Sequence, residues 1–233
     1  FCIAYSLCDA VSISSGIFRI EFTGLQQMNV PSMLLDLTEC QLVLVDYQER
    51  LMPVMATQQE VLANALRLAQ AAATLGVPVW GTEQNPDKLG PNAPALRTLC
   101  NKTLSKMAFS GVHEGLLEVL RPPAPPPAGN ARSLPRHLKK SPQLSEEARS
   151  SIVVAGCETH VCLLQTALEL LEESFDVWVV TDACSSRTLV NRDAAFDRLA
   201  SAGVELVTTE MVLFEWLRTA DHPAFREVQA LIK

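Results

Sequence analysis

Along its length the chain alternates short, nearly continuous apolar runs with longer stretches whose apolar positions recur at helical spacing. Residues 41–46, Gln-Leu-Val-Leu-Val-Asp, are the first such run, and a run apolar on both faces suits a central strand of a parallel sheet. In 58–75, Val61, Leu62, Ala65, Leu66, Leu68 and Ala69 fall on one helical stripe, and Gly76 supplies a stop. Residues 77–81 predict a second strand, with Pro78 at its start, where a missing N–H is tolerated. A loop is expected over 82–94, a short third strand at 103–106 and a short helix at 112–120. Beyond a Pro-rich stretch the pattern resumes. A strand at 151–156 is followed by a helix from Thr159, read as its cap, to about residue 172. A strand at 176–181, a helix at 191–202 stopped by Gly203, and a strand at 204–208 come next. Helical pieces at 210–218 and 223–232 close the chain. This alternation predicts an α/β fold: a doubly wound, mainly parallel sheet of about six strands flanked by helices.

In such sheets ligands sit beyond the carboxyl ends of the strands. Asp46 ends the first strand, Lys106 ends the third, and Cys162 follows the fourth by a few residues, so all three belong at one edge. In the first turn of its helix, Cys162 would meet unpaired N–H groups and the positive end of the helix dipole, which favour a thiolate. A Lys106 ammonium nearby would lower the thiol pKa further. Asp46 is then the base that takes the thiol proton and later returns it to a leaving group. The same N–H groups would stabilise an oxyanion. Taken singly, each residue has an ordinary explanation: a buried Cys packs, an Asp at a strand end caps, a Lys is solvated. Their convergence gives the chemical reading its weight.

Composition narrows the picture. With 233 residues, 48% of them hydrophobic and 19% charged, the chain can build one large core. The net charge of −7 excludes a basic nucleic-acid face, since the short stretch 136–140 is its one basic cluster. No run approaches the roughly 18 apolar residues of a membrane span. Seven cysteines at irregular spacing argue against a disulfide framework and for a reducing, cytoplasmic setting. No CxxC pair or His/Cys cluster suggests a metal, and no cofactor is expected. Residues 1–33 read as an N-terminal extension without an assigned role. The domain proper spans 34–233, with an exposed, partly polyproline insertion at about 121–143.

Four segments, in order, resemble blocks of the isochorismatase-like hydrolases: Leu-Val-Leu-Val-Asp-Tyr-Gln at 42–48, Ser-Lys-Met-Ala-Phe-Ser at 105–110, Val-Ala-Gly-Cys-Glu-Thr-His-Val-Cys-Leu-Leu-Gln-Thr-Ala at 154–167, and Val-Thr-Asp-Ala-Cys-Ser-Ser-Arg at 180–187. The third is the most specific. Residues 82–90 and 222–233 are similar to the isochorismatase domain-containing branch in particular. The resemblance implies a Rossmann-like three-layer fold with Asp46, Lys106 and Cys162 as a catalytic triad. It also implies a cis peptide between Cys157 and Glu158, an oxyanion hole from N–H groups around Glu158 and Cys162, and a homo-oligomer. Cys157 stands where the family usually has Val or Ile, so it is read as packing. The second-strand region lacks the histidines of the metal-dependent nicotinamidases, and true isochorismatases lack a cysteine at the position of Cys162.

Tyr47, Glu83 and Phe109 are candidates to line the substrate pocket, and Arg187 to hold a carboxylate. The resulting expectation is a cofactor-free cysteine hydrolase of a small amide-like or related acyl compound. Two other readings stay open: a catalytically weak member serving as a binding or regulatory module, and a redox thiol protein pairing Cys162 with Cys157 or Cys184.

Overall fold

The computed structural model describes residues 33–123 and 149–233; the N-terminal extension up to residue 32 and most of the Pro-rich insertion lie outside the described residues. Six strands form one sheet in the order β3-β2-β1-β4-β5-β6. They are β1 (Cys40–Val45), β2 (Val79–Gln84), β3 (Lys102–Lys106), β4 (Ser151–Gly156), β5 (Asp176–Val180) and β6 (Glu205–Val207). All five neighbouring pairs are parallel. The chain winds outward from β1 through β2 to β3, then returns to lay β4 against the other side of β1. The switch point therefore lies between β1 and β4, where a doubly wound sheet opens a crevice.

The apolar runs explain which strands are central. Every residue of β1 is buried, and so are five of the six in β4. The one polar side chain inside β1, Gln41, is fully partnered. Its Oε1 accepts from Trp80 Nε1 at 2.9 Å, and its Nε2 donates to Leu120 O at 2.9 Å and Arg149 O at 3.2 Å. Helix α1 (Gln58–Leu75) buries Val61, Ala65, Leu68, Ala69, Ala71 and Ala72 and ends on Gly76, at φ +75°.

Several boundaries differ from the sequence reading. Strand β2 runs through Gln84, and the expected loop begins later, because Thr82, Glu83 and Gln84 pair with Leu104, Ser105 and Lys106 of β3. Within the expected loop lie two single-turn helices, α2 (Pro86–Leu89) and α3 (Pro94–Arg97). The expected helix at 112–120 is broken by Gly115 at φ +102°, leaving a short turn and α4 (Leu116–Leu120). Helices α5 (Leu164–Glu172), α6 (Leu189–Ser201), α7 (Thr209–Leu217) and α8 (Phe225–Ala230) complete the chain. Thr188 and Thr208 cap α6 and α7 by accepting from Asn191 N and Met211 N.

One glycine fixes the switch point. A Cβ on Gly156 would stand 2.6 Å from both Cβ and O of Val45. Its absence lets β4 run against the end of β1 and Cys157 N donate to Val45 O at 2.9 Å.

Candidate active site

Asp46 and Lys106 meet at the switch edge. Asp46 follows β1 in the left-handed region, φ +55°, which turns its carboxylate back over the sheet end. Asp46 Oδ1 accepts from Thr82 Oγ1 at 2.8 Å and Oδ2 from Lys106 Nζ at 2.8 Å. Both side chains are wholly buried. A buried ammonium is tolerable only with a counter-charge and filled donors. Lys106 Nζ has both, for it also donates to Gln84 Oε1 at 2.9 Å and Phe109 O at 2.8 Å.

Gln84 and Thr82 were absent from the sequence-level candidates. Their signal was period-two spacing: residues 82 and 84 of a strand share a face, and 83 takes the other. Gln48 locks this strand end, donating to Gln84 O and accepting from Gln84 N at 2.9 and 2.8 Å.

Cys162 arrives from the other side of β1. A π-helical turn, Thr159–Leu163, precedes α5 and carries it, and 4% of the residue remains exposed. Such wide turns often mark functional sites. Thr166 Oγ1 donates to Cys162 O at 2.7 Å and accepts from Gly111 N at 3.2 Å. The cysteine turn is thus tied to the loop that follows Lys106.

The ionisation state departs from expectation. Burial, then the Asp46 negative charge, push the Cys162 thiol up to about 12, against a smaller downward pull from Lys106; a hydrogen bond to Asp46 also favours the protonated form. At neutral pH Cys162 is a thiol facing a carboxylate. The helix-start argument overlooked how little water reaches this sulfur and that the neighbouring anion outweighs the cation.

Two further local expectations are corrected. Among the described residues there is no cis peptide, so the bond from Cys157 to Glu158 is trans. The reversal is made instead by Glu158 in the left-handed region, φ +53°. Thr159 is not the cap of the cysteine helix: its Oγ1 and N both bond to Ser185 O, at 2.9 and 3.0 Å. Glu158 occupies the capping position.

The pocket candidates divide. Tyr47 is fully buried, and its hydroxyl donates to Ala183 O, tying the loop after β1 to the end of β5. Glu83 points to the opposite face from Asp46, where Oε1 accepts from Asn92 N at 2.9 Å and lies 3.6 Å from Arg97 Nε. Both are interior supports and contact no substrate. Phe109 keeps its side chain half exposed while its carbonyl holds Lys106. Arg187 is already engaged, with Nε 2.7 Å from Glu158 Oε1. Cys157 is buried, its Sγ 3.2 Å from Met52 Sδ, and the five described cysteines are free thiols. Among the described residues, no three His, Cys, Asp or Glu side chains are grouped to hold a metal. A separate cavity of about 500 Å³ lies between α1 and the turn after β5, lined in part by Asn64, Arg67, Asp182 and Arg192.

Comparison with known proteins agrees with this geometry. Residues 141–211 match the Isochorismatase domain. Isochorismatase domain-containing protein 2 of Xenopus laevis is 38% identical over 196 residues, covering 82% of both chains. The human protein of that name is 36% identical over 192 residues, again covering 82% of each. Among solved structures, the MAR1 ribonuclease of Caenorhabditis elegans is 30% identical, with TM-score 0.71, over 85% of this chain and 92% of that one. The Escherichia coli YcaC product, an octameric hydrolase of unknown specificity, shares the fold at 23% identity and TM-score 0.66, over 86% and 96% of the two chains.

Proposed function

Because this chain belongs to the isochorismatase-like hydrolase family, we propose that it is a cofactor-free cysteine hydrolase acting on a small amide-like or related acyl compound. The observation that carries the reading is a single carboxylate shared by two partners: Asp46 receives Lys106 Nζ at 2.8 Å and the Cys162 thiol.

The resting sulfur keeps its proton, so attack and deprotonation are coupled. As Sγ bonds to the substrate carbonyl carbon, the thiol proton passes to Asp46 and the carbonyl oxygen becomes an oxyanion. That oxyanion is received by the N–H groups of Glu158 and Cys162. The neighbouring N–H groups of Cys157, Thr159 and Val161 are engaged by Val45 O, Ser185 O and Glu158 O. When the tetrahedral adduct collapses, the C–N bond breaks and Asp46 returns the proton to the leaving amine, leaving a thioester. A water then gives its proton to Asp46 and attacks. The thioester C–S bond breaks, the sulfur regains a proton, and the carboxylic acid departs. Lys106 steadies Asp46 through both half-reactions, with Gln84 and Phe109 O keeping the ammonium in place.

The net charge of −7 speaks against a polyanionic substrate such as RNA. A homo-oligomer and a cytoplasmic location belong to the same proposal; no helix among the described residues is long and apolar enough to cross a membrane. The test is a panel of small amides and esters. Cys162→Ala should reduce turnover to background, and Asp46→Asn should lower it by roughly 10²–10⁴-fold. Full activity in Cys162→Ala overturns the reading. The deep burial of the sulfur favours one other reading, a catalytically weak member used as a binding module. It would be supported by no turnover of the panel together with tight binding of a panel compound.

A further inference from the structure

Beside the triad lies a second group of polar side chains that the hydrolytic chemistry does not use: Glu158, His160, Ser186 and Arg187. Glu158 stands at the start of the turn that carries Cys162, four residues ahead of it and so about one wide helical turn away on the same side. Its side chain is 9% exposed. One carboxylate oxygen, Oε1, is held by Arg187 Nε at 2.7 Å. The other, Oε2, is buried and has no hydrogen-bond partner among the described residues. His160 Nδ1 lies 3.4 Å from it but is engaged with Ser186 Oγ at 3.0 Å. The Glu158 charge is felt at the Cys162 sulfur, so the carboxylate faces the reaction site.

An unfilled carboxylate oxygen at a buried site is costly unless a donor completes it. Every other charged group around the triad is completed by the protein: Asp46 by Thr82 and Lys106, Lys106 by Asp46, Gln84 and Phe109 O. We propose that Glu158 is the specificity-determining acid of this site, its free Oε2 accepting an N–H of the substrate, so that compounds bearing N–H next to the scissile carbonyl are selected over esters of the same shape. This rests on the hydrolytic reading and gives it a substrate class: primary or N-monosubstituted amides and ureas. In a primary amide the nitrogen carries two hydrogens, so one can be held by Glu158 while the lone pair stays open to the proton that Asp46 returns.

The test separates recognition from turnover. In full-length Cys162→Ala protein, which binds without reacting, the Kd values of acetamide, butyramide and benzamide are compared with those of the matching methyl esters by ligand-observed NMR. The amides should bind roughly 10- to 100-fold more tightly than the esters, as expected for a hydrogen bond to a charged acceptor. Adding Glu158→Gln should close that gap, whereas a merely structural role would weaken amide and ester alike. A ladder of butyramide, N-methylbutyramide and N,N-dimethylbutyramide asks the same of unaltered Glu158, in case the glutamine variant does not fold; affinity should fall most at the step that removes the last N–H. Equal amide and ester binding in every pair overturns the proposal, as does a preference that survives Glu158→Gln. Failure of the hydrolytic reading would be seen elsewhere, as unaltered turnover by the single Cys162→Ala variant.

Discussion

The two sides of the site differ in how completely the protein satisfies them. On the β3 side, Lys106 has a protein acceptor for each of its three protons and Asp46 has a protein donor on each oxygen. On the β4 side, Glu158 is strained in backbone, paired on one oxygen to a largely exposed Arg187 and unfilled on the other. The closed side is organised around its own charges and needs nothing from outside. The open side leaves a bond to be made by whatever binds. A site built this way keeps its reactive geometry fixed before substrate arrives and assigns discrimination to the half that is incomplete.

Breaking the closed side should have the largest effect. Lys106→Met leaves Asp46 buried without its counter-ion, which should cost about 3–5 kcal/mol in urea denaturation and remove activity. Pairing it with Asp46→Asn should recover part of the stability and none of the activity. Next comes the switch point. Gly156→Ala drives a methyl group into Val45, so β1 and β4 must shift apart; a loss of about 1–3 kcal/mol and a displaced cysteine turn should follow, seen as lowered melting temperature and lowered kcat together.

A milder effect is expected from alkali. Burial is the first cause lifting the thiols of Cys40 and Cys100 to about 11 and those of Cys162 and Cys184 to about 12, from an ordinary 9.0. The folded chain therefore holds protons that the unfolded chain releases. Stability should be constant below about pH 9 and fall steadily as the pH rises toward 12, measurable as a declining urea midpoint. A midpoint that stays level over that window would show that the thiols are not buried as described. The smallest effect belongs to the open side: Arg187→Gln, which removes a mostly exposed partner, should cost less than about 1 kcal/mol in stability. A loss as large as that of Lys106→Met would erase the distinction between the two sides.

The fold was legible wherever packing dominates. The runs at 41–46 and 151–156 are apolar because both faces of β1 and β4 are covered, and the stripe of α1 is apolar on the side that meets the sheet. The meeting of Asp46, Lys106 and Cys162 followed from strand order and the rule that doubly wound sheets work at their carboxyl edge. Legibility failed where polar residues are interior. Thr82-Glu-Gln84 reads as loop because each residue is hydrophilic, yet each is buried and satisfied by a partner far along the chain. The state of the Cys162 proton was misjudged for a related reason. Local sequence displays the helix start and the lysine, whereas the desolvation that overrides them comes from the whole fold. The trans bond at Glu158 shows that one reversal of direction can be made by a left-handed residue as well as by a rotated peptide.

The amide of Gln41 holds Leu120 O and Arg149 O at once. The chain's departure into the Pro-rich segment and its return are thereby clasped side by side at the rim of the sheet. What is spliced between those two stubs need not be any particular length, because closing a longer loop adds only about 0.6 kcal/mol per doubling once its ends are pinned. Evolution, or an engineer shortening the segment to a few residues or grafting a tag into it, can edit there while the catalytic edge keeps its shape.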